Sequence, residues 1–268
     1  MRFHYINLNS AHARRAALES NAALVAPAAD LIRFSAVTAE AGAAADGKIS
    51  TPEKACFLSH RNLLASRDAG ETIFVLEDDV QLSRLTFPVV TAAASAGGED
   101  WDLLFTDVAV PDRNVMLDLI RRRRPFAGRF TTLDLAAMPF AGASAYAVHA
   151  RARTRLSELL AAEASLDTPY DLVLRRLVYT GALKARCVFP FVTTLADSAF
   201  ESQVQGDAKT LKDLPLNLFR RLMSADRDLS ACLVAAERLD QLMCDDEARV
   251  AGAVFAGMAS RAYDPIAS

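Results

Sequence analysis

Apolar positions along this chain follow two rhythms. Short apolar runs, rich in β-branched and aromatic residues, alternate with longer stretches whose apolar residues recur three and four apart. The first rhythm reads as strand and the second as helix. Residues 3–8 and 31–37 read as strands, with a helix over 11–24 that Asn9 and Ser10 can cap. The Gly- and Ala-rich residues 39–48 read as a loop. Ser50-Thr51-Pro52-Glu53 is a capping box with proline in the first turn, so a helix should run to about residue 69, before Gly70. A strand from Ile73 follows. A helix over 84–96, stopped at Gly97-Gly98, leads to a strand over 101–105. Residues 110–130 have no clear period and read as irregular or lid-like. Short strands are expected at 133–137 and 144–148. Helices are expected at 150–164 and from Thr168-Pro169 to about 179, then a strand at 183–189 closed by Pro190.

After about residue 214 the strand rhythm vanishes, and Ala- and Leu-rich helical stretches fill the chain. Leu216, Leu218, Phe219 and Leu222, interrupted by Arg220 and Arg221, permit a helix with one apolar stripe and a basic flank. The expected division is a domain over 1–210 and a helical C-terminal appendage over 211–268. The appendage has three possible roles: packing on the first domain, pairing two copies, or resting on a membrane surface. Strand and helix alternate through residue 106, which argues for an α/β fold with a mostly parallel sheet and helices on both faces.

Composition narrows the class. With 52% hydrophobic and 24% charged residues, the chain has a sizeable core and is not disordered. Its net charge of −3 gives no global attraction to nucleic acid, and no nucleic-acid partner is expected. Arg121-Arg122-Arg123-Arg124 is a local exception, read as a solvated loop with phosphate or membrane contact as the alternative. Cys56, Cys187, Cys232 and Cys244 are scattered without metal-type spacing, as reduced thiols would be. The first residues are too short and polar a stretch for a secretory signal, and no apolar run is long enough to span a membrane. A cytoplasmic location is expected, extending to the inner face of the membrane if the C-terminal helices touch lipid.

The candidate chemistry is concentrated in Ile73-Phe74-Val75-Leu76-Glu77-Asp78-Asp79, where an apolar strand runs into three consecutive carboxylates. Open α/β sheets bind ligands at the carboxyl ends of their strands. Three anions there repel one another unless a cation joins them, and carboxylate oxygens suit Mg2+ or Mn2+. A solvated acidic turn is the plain alternative. A second acid, Asp107, follows the strand that begins at Trp101, and the two acidic strand ends together mimic a phosphoacceptor receiver domain. The spacing opposes that reading, because Asp79 to Asp107 leaves room for only one helix and one strand.

Several pieces in order resemble glycosyltransferase family 25, the lipopolysaccharide-biosynthesis glycosyltransferases. They are Tyr5-Ile6-Asn7-Leu8 with Arg14-Arg15, Leu31 through Val37, and Ser50 through His60 with Glu53, Cys56 and Ser59. Ile73 through Leu82, Trp101 through Leu104, Gly142 through Val148 around Tyr146, and Pro169-Tyr170-Asp171 follow, with a weaker match at Pro190 and Ser202-Gln203-Val204. The turn at Asn9-Ser10-Ala11-His12 is less charged than is usual in the family. The resemblance implies an A-type nucleotide-sugar-binding fold and a divalent metal. It also implies a UDP-sugar donor, often UDP-galactose in bacterial members, and a glycan or glycolipid acceptor. Glu77 and Asp79, two apart and so on one side of an ideal strand, are the expected metal ligands, with Asp78 as an alternative ligand if the strand end curls into a loop. Asn7, Arg14, Arg15, Ser59, His60, Asp78, Tyr146 and Ser202 are expected around the donor. Arg14 or Arg15 would pair with the diphosphate. Asp171, in the first turn of a helix, is the expected general base, with a dipole-stabilising role as its alternative. Asp197 and Glu201 are weaker candidates for late contacts. A module of the same fold that binds the donor or a glycan without turnover is the remaining alternative.

Overall fold

The computed structural model describes residues 1–65, 70–95, 100–123, 129–196, 207–242 and 245–259. The amino-terminal part runs β1 (Arg2–Asn7), α1 (His12–Val25), β2 (Leu31–Ser35), α2 (Ala39–Ala43), α3 (Thr51–Leu64), β3 (Ile73–Glu77). It continues with β4 (Val80–Leu82), α4 (Thr86–Ser95), β5 (Leu103–Phe105), α5 (Arg113–Arg123), β6 (Thr131–Asp134) and β7 (Ala145–Val148). Then come α6 (Arg153–Ala161), α7 (Tyr170–Tyr179), β8 (Ala185–Phe189), β9 (Thr193–Leu195), α8 (Asp207–Met223), α9 (Leu229–Leu242) and α10 (Asp246–Ala259).

The main sheet has seven strands in the order β2-β1-β3-β7-β5-β8-β6. β1 pairs in parallel with both β2 and β3, and β5 with β8, while β7 and β6 run antiparallel to their neighbours. The result is a mixed α/β fold in which most strands point the same way. β2 and β3 flank β1 on opposite sides, so the chain departs from β1 in both directions, and a crevice opens at the carboxyl ends of these strands. β4 and β9 form a separate two-stranded ribbon beside that edge.

Helices cover both faces, and this explains the unbroken apolar run of β3. Ile73 and Val75 face a core shared with Phe57 of α3 and Leu174 of α7. Phe74 and Leu76 face the opposite core, with Leu18 of α1 and Val90 of α4. A strand buried on both faces shows no polar alternation. The capping box at the start of α3 is present, with the Ser50 amide donating to Glu53 Oε2 at 2.9 Å.

Several expectations are corrected. Neither Asn9 nor Ser10 caps α1: its cap position is Ala11, and Asn9 Oδ1 instead accepts from Arg33 at 2.7 Å and Ser35 at 3.0 Å. The expected loop at 39–48 opens with helix α2, capped by the Thr38 hydroxyl. Residues 113–123, expected to be irregular, form α5, because Asp112 Oδ1 accepts from the amides of Asn114 and Val115 at 2.8 and 2.9 Å. The arginines at the end of α5 are not in a loop. Arg121, Arg122 and Arg123 occupy its last turn, where cations offset the helix dipole. Arg123 is buried and donates to the Ser224 carbonyl at 3.1 Å. Arg124, Gly97, Gly98, Asp197, Glu201, Ser202 and Cys244 lie outside the described residues. Strands β4 and β9 carry no apolar run long enough to be read from sequence.

The C-terminal part is helical. Leu214, Phe219 and Met223 of α8 are buried, whereas Leu233, Val234, Val250, Val254 and Phe255 on α9 and α10 are exposed. Among the described residues no helix is long and apolar enough to cross a membrane.

Candidate functional site

The crevice at the carboxyl ends of β1, β2 and β3 is an open cavity of about 730 Å³. The first turns of α1, the cavity face of α3, the segment 141–144, the start of α7 and one side of α8 complete its wall. Glu77, Asp78 and Asp79 all line it, yet each has a different environment. β3 ends at Glu77, and the chain turns at Asp78-Asp79 to enter β4, so the three carboxylates fan apart.

Glu77 turns toward α3. Its Oε1 lies 3.1 Å from His60 Nε2 and accepts from the Cys56 thiol at 3.6 Å. Burial raises its pKa, but the hydrogen bond and charge of His60, helped by Cys56 and Arg220, outweigh this and leave it below its ordinary value. Asp78 turns toward α1. Asn7 Nδ2 donates to its Oδ2 at 2.7 Å, and Arg14 Nη1 to its Oδ1 at 3.2 Å. Burial nonetheless raises the Asp78 pKa, only partly offset by Asn7 and Arg14.

Asp79 is the odd one out. Its Oδ1 is buried and, among the described residues, has no hydrogen-bond partner. Burial, then the charge of Glu77, push its pKa up to about 7, against the opposing pull of Arg14 and Arg220. A buried carboxylate without a partner is costly as an anion, and a divalent cation is the partner that would relieve it. The residues present therefore fit an oxygen-ligated metal at Asp79, with Glu77 beside it.

His60 is held from three sides. Its Nδ1 is 2.9 Å from the Tyr146 hydroxyl, which is 2.6 Å from the Tyr170 hydroxyl, and its ring stacks on Tyr170 at 4.2 Å. Because ionised Glu77 can only accept, Nε2 carries a proton in this arrangement, and when the ring is neutral Nδ1 accepts from Tyr146. Burial raises the pKa of Tyr146 and of Tyr170, so both stay protonated. The relay fixes the His60 ring and, through it, the Glu77 carboxylate.

Of the residues singled out from sequence, Asn7, Arg14, Ser59, His60, Glu77, Asp78, Asp79 and Asp171 are gathered at this cavity. Ser59 is there in a bracing arrangement: its hydroxyl donates to the Ala55 carbonyl at 2.7 Å and accepts from the Val37 amide at 2.9 Å. Arg15 and Tyr146 are not brought to the cavity wall. Arg15 sits one position round the helix from Arg14 and pairs with Glu19 at 3.0 Å on the exposed side. Tyr146 is fully buried in β7 beneath the site. Asp171 Oδ2 accepts from the Gly142 amide at 2.8 Å. Gly142 has φ +87°, a backbone region that L side chains rarely adopt, and this aims its N–H at the carboxylate.

Arg220 of α8 was not singled out from sequence as a site residue. It lines the cavity, is 4% exposed, and donates from Nε to Asp107 Oδ2 at 2.8 Å and from Nη2 to Ser144 Oγ at 2.7 Å. Thr193 of β9 donates to Asp107 Oδ1 at 2.8 Å. An arginine breaking the apolar stripe of an amphipathic helix was the available signal. The same pairing removes the phosphoacceptor reading: Asp107 is 1% exposed and committed to Arg220 and Thr193, and antiparallel β7 separates β3 from β5.

No protein-family model and no curated protein matches the chain. Among solved structures it is similar to the galactosyltransferase LgtC in complex with donor and acceptor sugar analogues. The TM-score is 0.41 at 12% identity, over 78% of this chain and 81% of that one. It is likewise similar to an active-site mutant of LgtC, with TM-score 0.41 at 12% identity, over 70% of this chain and 72% of that one.

Proposed function

We propose that this chain is a metal-dependent glycosyltransferase that transfers galactose from UDP-galactose, with inversion, to a surface-glycan or lipooligosaccharide acceptor. The observation that carries the proposal is the buried Asp79 Oδ1, without a hydrogen-bond partner among the described residues, beside two further carboxylates at the carboxyl end of β3 in a cavity open to solvent. The ordered resemblance to family 25 supports the choice of sugar and acceptor class. Asp79 and Glu77 would hold Mn2+ or Mg2+, whose charge offsets the negative charge that grows on the leaving diphosphate.

The chain's own residues do the rest. Arg14, held at Asp78, and Arg220, held at Asp107, put two guanidinium groups on the cavity wall, the group best matched to phosphate oxygens. We assign the diphosphate to Arg14. Asn7 braces Asp78. The His60 relay keeps Glu77 ionised and pointed at α3. Asp171 takes the proton from the acceptor hydroxyl as that oxygen attacks the anomeric carbon. The bond from that carbon to the diphosphate breaks, and its electron pair leaves with UDP. Donor contact by Ser202 is proposed from the resemblance alone.

The test measures UDP release across a panel of UDP-sugars, with Mn2+ and with EDTA, alongside calorimetric binding. Turnover with UDP-galactose that needs metal, and tighter donor binding with metal than with EDTA, is the expected pair of results. Metal-dependent binding without turnover would reassign the chain as a binding module. Absence of both would end the nucleotide-sugar reading.

A further inference from the structure

We propose that Cys56, His60 and Glu77 form a second, softer cation site that takes Zn2+, sharing Glu77 with the hard-cation position at Asp79. The site is independent of the transferase reading, since it rests on ligand chemistry and geometry alone.

Cys56 and His60 are four residues apart on α3 and so share one face of that helix. Glu77 comes from the end of β3 opposite them. The Cys56 Sγ, His60 Nε2 and Glu77 Oε1 atoms all lie within 4.8 Å of one another. Two of the separations are 3.6 Å for sulfur to oxygen and 3.1 Å for nitrogen to oxygen. Tetrahedral zinc, with bonds of about 2.0–2.3 Å, places its ligands roughly 3.3–3.6 Å apart. Two of the three separations are thus close to a metal-ready spacing before any metal binds. One thiolate, one imidazole and one carboxylate is a borderline-soft set that favours Zn2+ over Mn2+ or Mg2+. All three residues line the open cavity, which leaves the fourth position for water or an incoming ligand.

A second, separate feature points the same way. Zinc-ligating histidines as a rule have their other ring nitrogen held by a hydrogen bond that fixes the ring. His60 Nδ1 lies 2.9 Å from the Tyr146 hydroxyl, whose oxygen is placed to accept its N–H once metal binds, and its ring is pinned by stacking on Tyr170. On binding, the Cys56 thiol releases its proton to solvent and its sulfur bonds the ion. The His60 proton moves from Nε2 to Nδ1, where it is donated to the Tyr146 oxygen, and the freed Nε2 lone pair bonds the ion. Glu77 gives a carboxylate oxygen. No electron is transferred.

The site should respond to Co2+ as a spectroscopic stand-in for Zn2+. Full-length protein, reduced and free of air, is titrated with Co2+ and the thiolate-to-cobalt charge-transfer absorption is followed. One equivalent should produce the band and Zn2+ should abolish it. Cys56→Ser should lose the band while retaining the wild-type melting temperature. Tyr146→Phe should weaken Co2+ binding by about ten-fold or more, the usual effect of losing such a supporting bond. Asp79→Asn should keep the band, which separates this site from the hard-cation position. No band in the wild type, or a band that persists in Cys56→Ser, overturns the proposal. If Cys56→Ser does not fold, alkylation of wild-type Cys56 is mapped by mass spectrometry with and without Zn2+: protection supports the site and equal labelling refutes it. Because neither readout involves a sugar nucleotide, failure here leaves the transferase proposal standing, and failure there leaves this one.

Discussion

Replacing Asp79 by Asn should make the metal-free protein more stable above neutral pH and insensitive to Mn2+. The Asp79 pKa rises from its ordinary 3.8 to about 7. The folded state therefore holds the proton more tightly than the unfolded state between these values, and stability falls as pH rises from about 4 to about 7. At about 1.36 kcal/mol for each pH unit the full penalty is about 4 kcal/mol. That is an upper bound, since Glu77 and Asp78 lie beside Asp79 and share the charge, and about half of it is a reasonable expectation. Asparagine keeps the shape of the side chain and never ionises, so it removes this penalty. For a chain of this size, about 2 kcal/mol corresponds to roughly 4–8 °C in melting temperature. Thermal melts are run at pH 4 and pH 8, with EDTA and with saturating Mn2+. In EDTA at pH 8 the variant should melt several degrees above the wild type, and at pH 4 the two should nearly coincide. Mn2+ should raise the wild type at pH 8 and leave the variant unmoved. A variant no more stable than the wild type at pH 8 in EDTA would refute the claim that Asp79 is an uncompensated buried charge. Equal Mn2+ stabilisation of both would remove it from the metal site.

Three further outcomes follow from the same geometry. Arg220→Ala should cost about 3–5 kcal/mol in urea unfolding at neutral pH, because it strands the Asp107 carboxylate in the core; a loss below 1 kcal/mol would mean that α8 is not anchored through this pair. Asp171→Asn should lower the transfer rate about 10²–10⁴-fold while donor affinity holds, and calorimetry showing a parallel loss of donor binding would make Asp171 a binding residue instead. Tyr146→Phe, which removes the hydroxyl between His60 and Tyr170, should destabilise the fold by about 1–3 kcal/mol in urea unfolding, and a loss below about 0.5 kcal/mol would mean that this relay does not brace the fold.

The local patterns are the part of this protein that the sequence determined by itself. The apolar run from Ile73 to Leu76 needs burial on both faces, and the capping box at Ser50 needs only neighbours three residues away. The alternation of strand and helix through residue 106 implies a mostly parallel sheet, and such sheets place ligands at carboxyl ends, where Glu77, Asp78 and Asp79 stand. Each inference uses periodicity or contacts short in sequence, which a linear reading can see. Residues 113–123 carry a fainter local signal: their helix is started by the single cap Asp112 and ends in a charged run. Tertiary structure decided what each acid does. Three adjacent carboxylates are equivalent in sequence, yet partners 17 to 71 residues away give Glu77 to His60 and Asp78 to Asn7 and, among the described residues, leave Asp79 Oδ1 alone. Arg14 and Arg15 are equally cationic, and only the rotation of α1 against β3 turns one to the cavity and the other to Glu19. The pairing of Arg220 with Asp107 spans 113 residues and is specified by how α8 docks, which no local period encodes. Secondary structure is written in short-range spacing, whereas the charge and protonation of a buried group depend on which distant side chains the fold brings within hydrogen-bond reach.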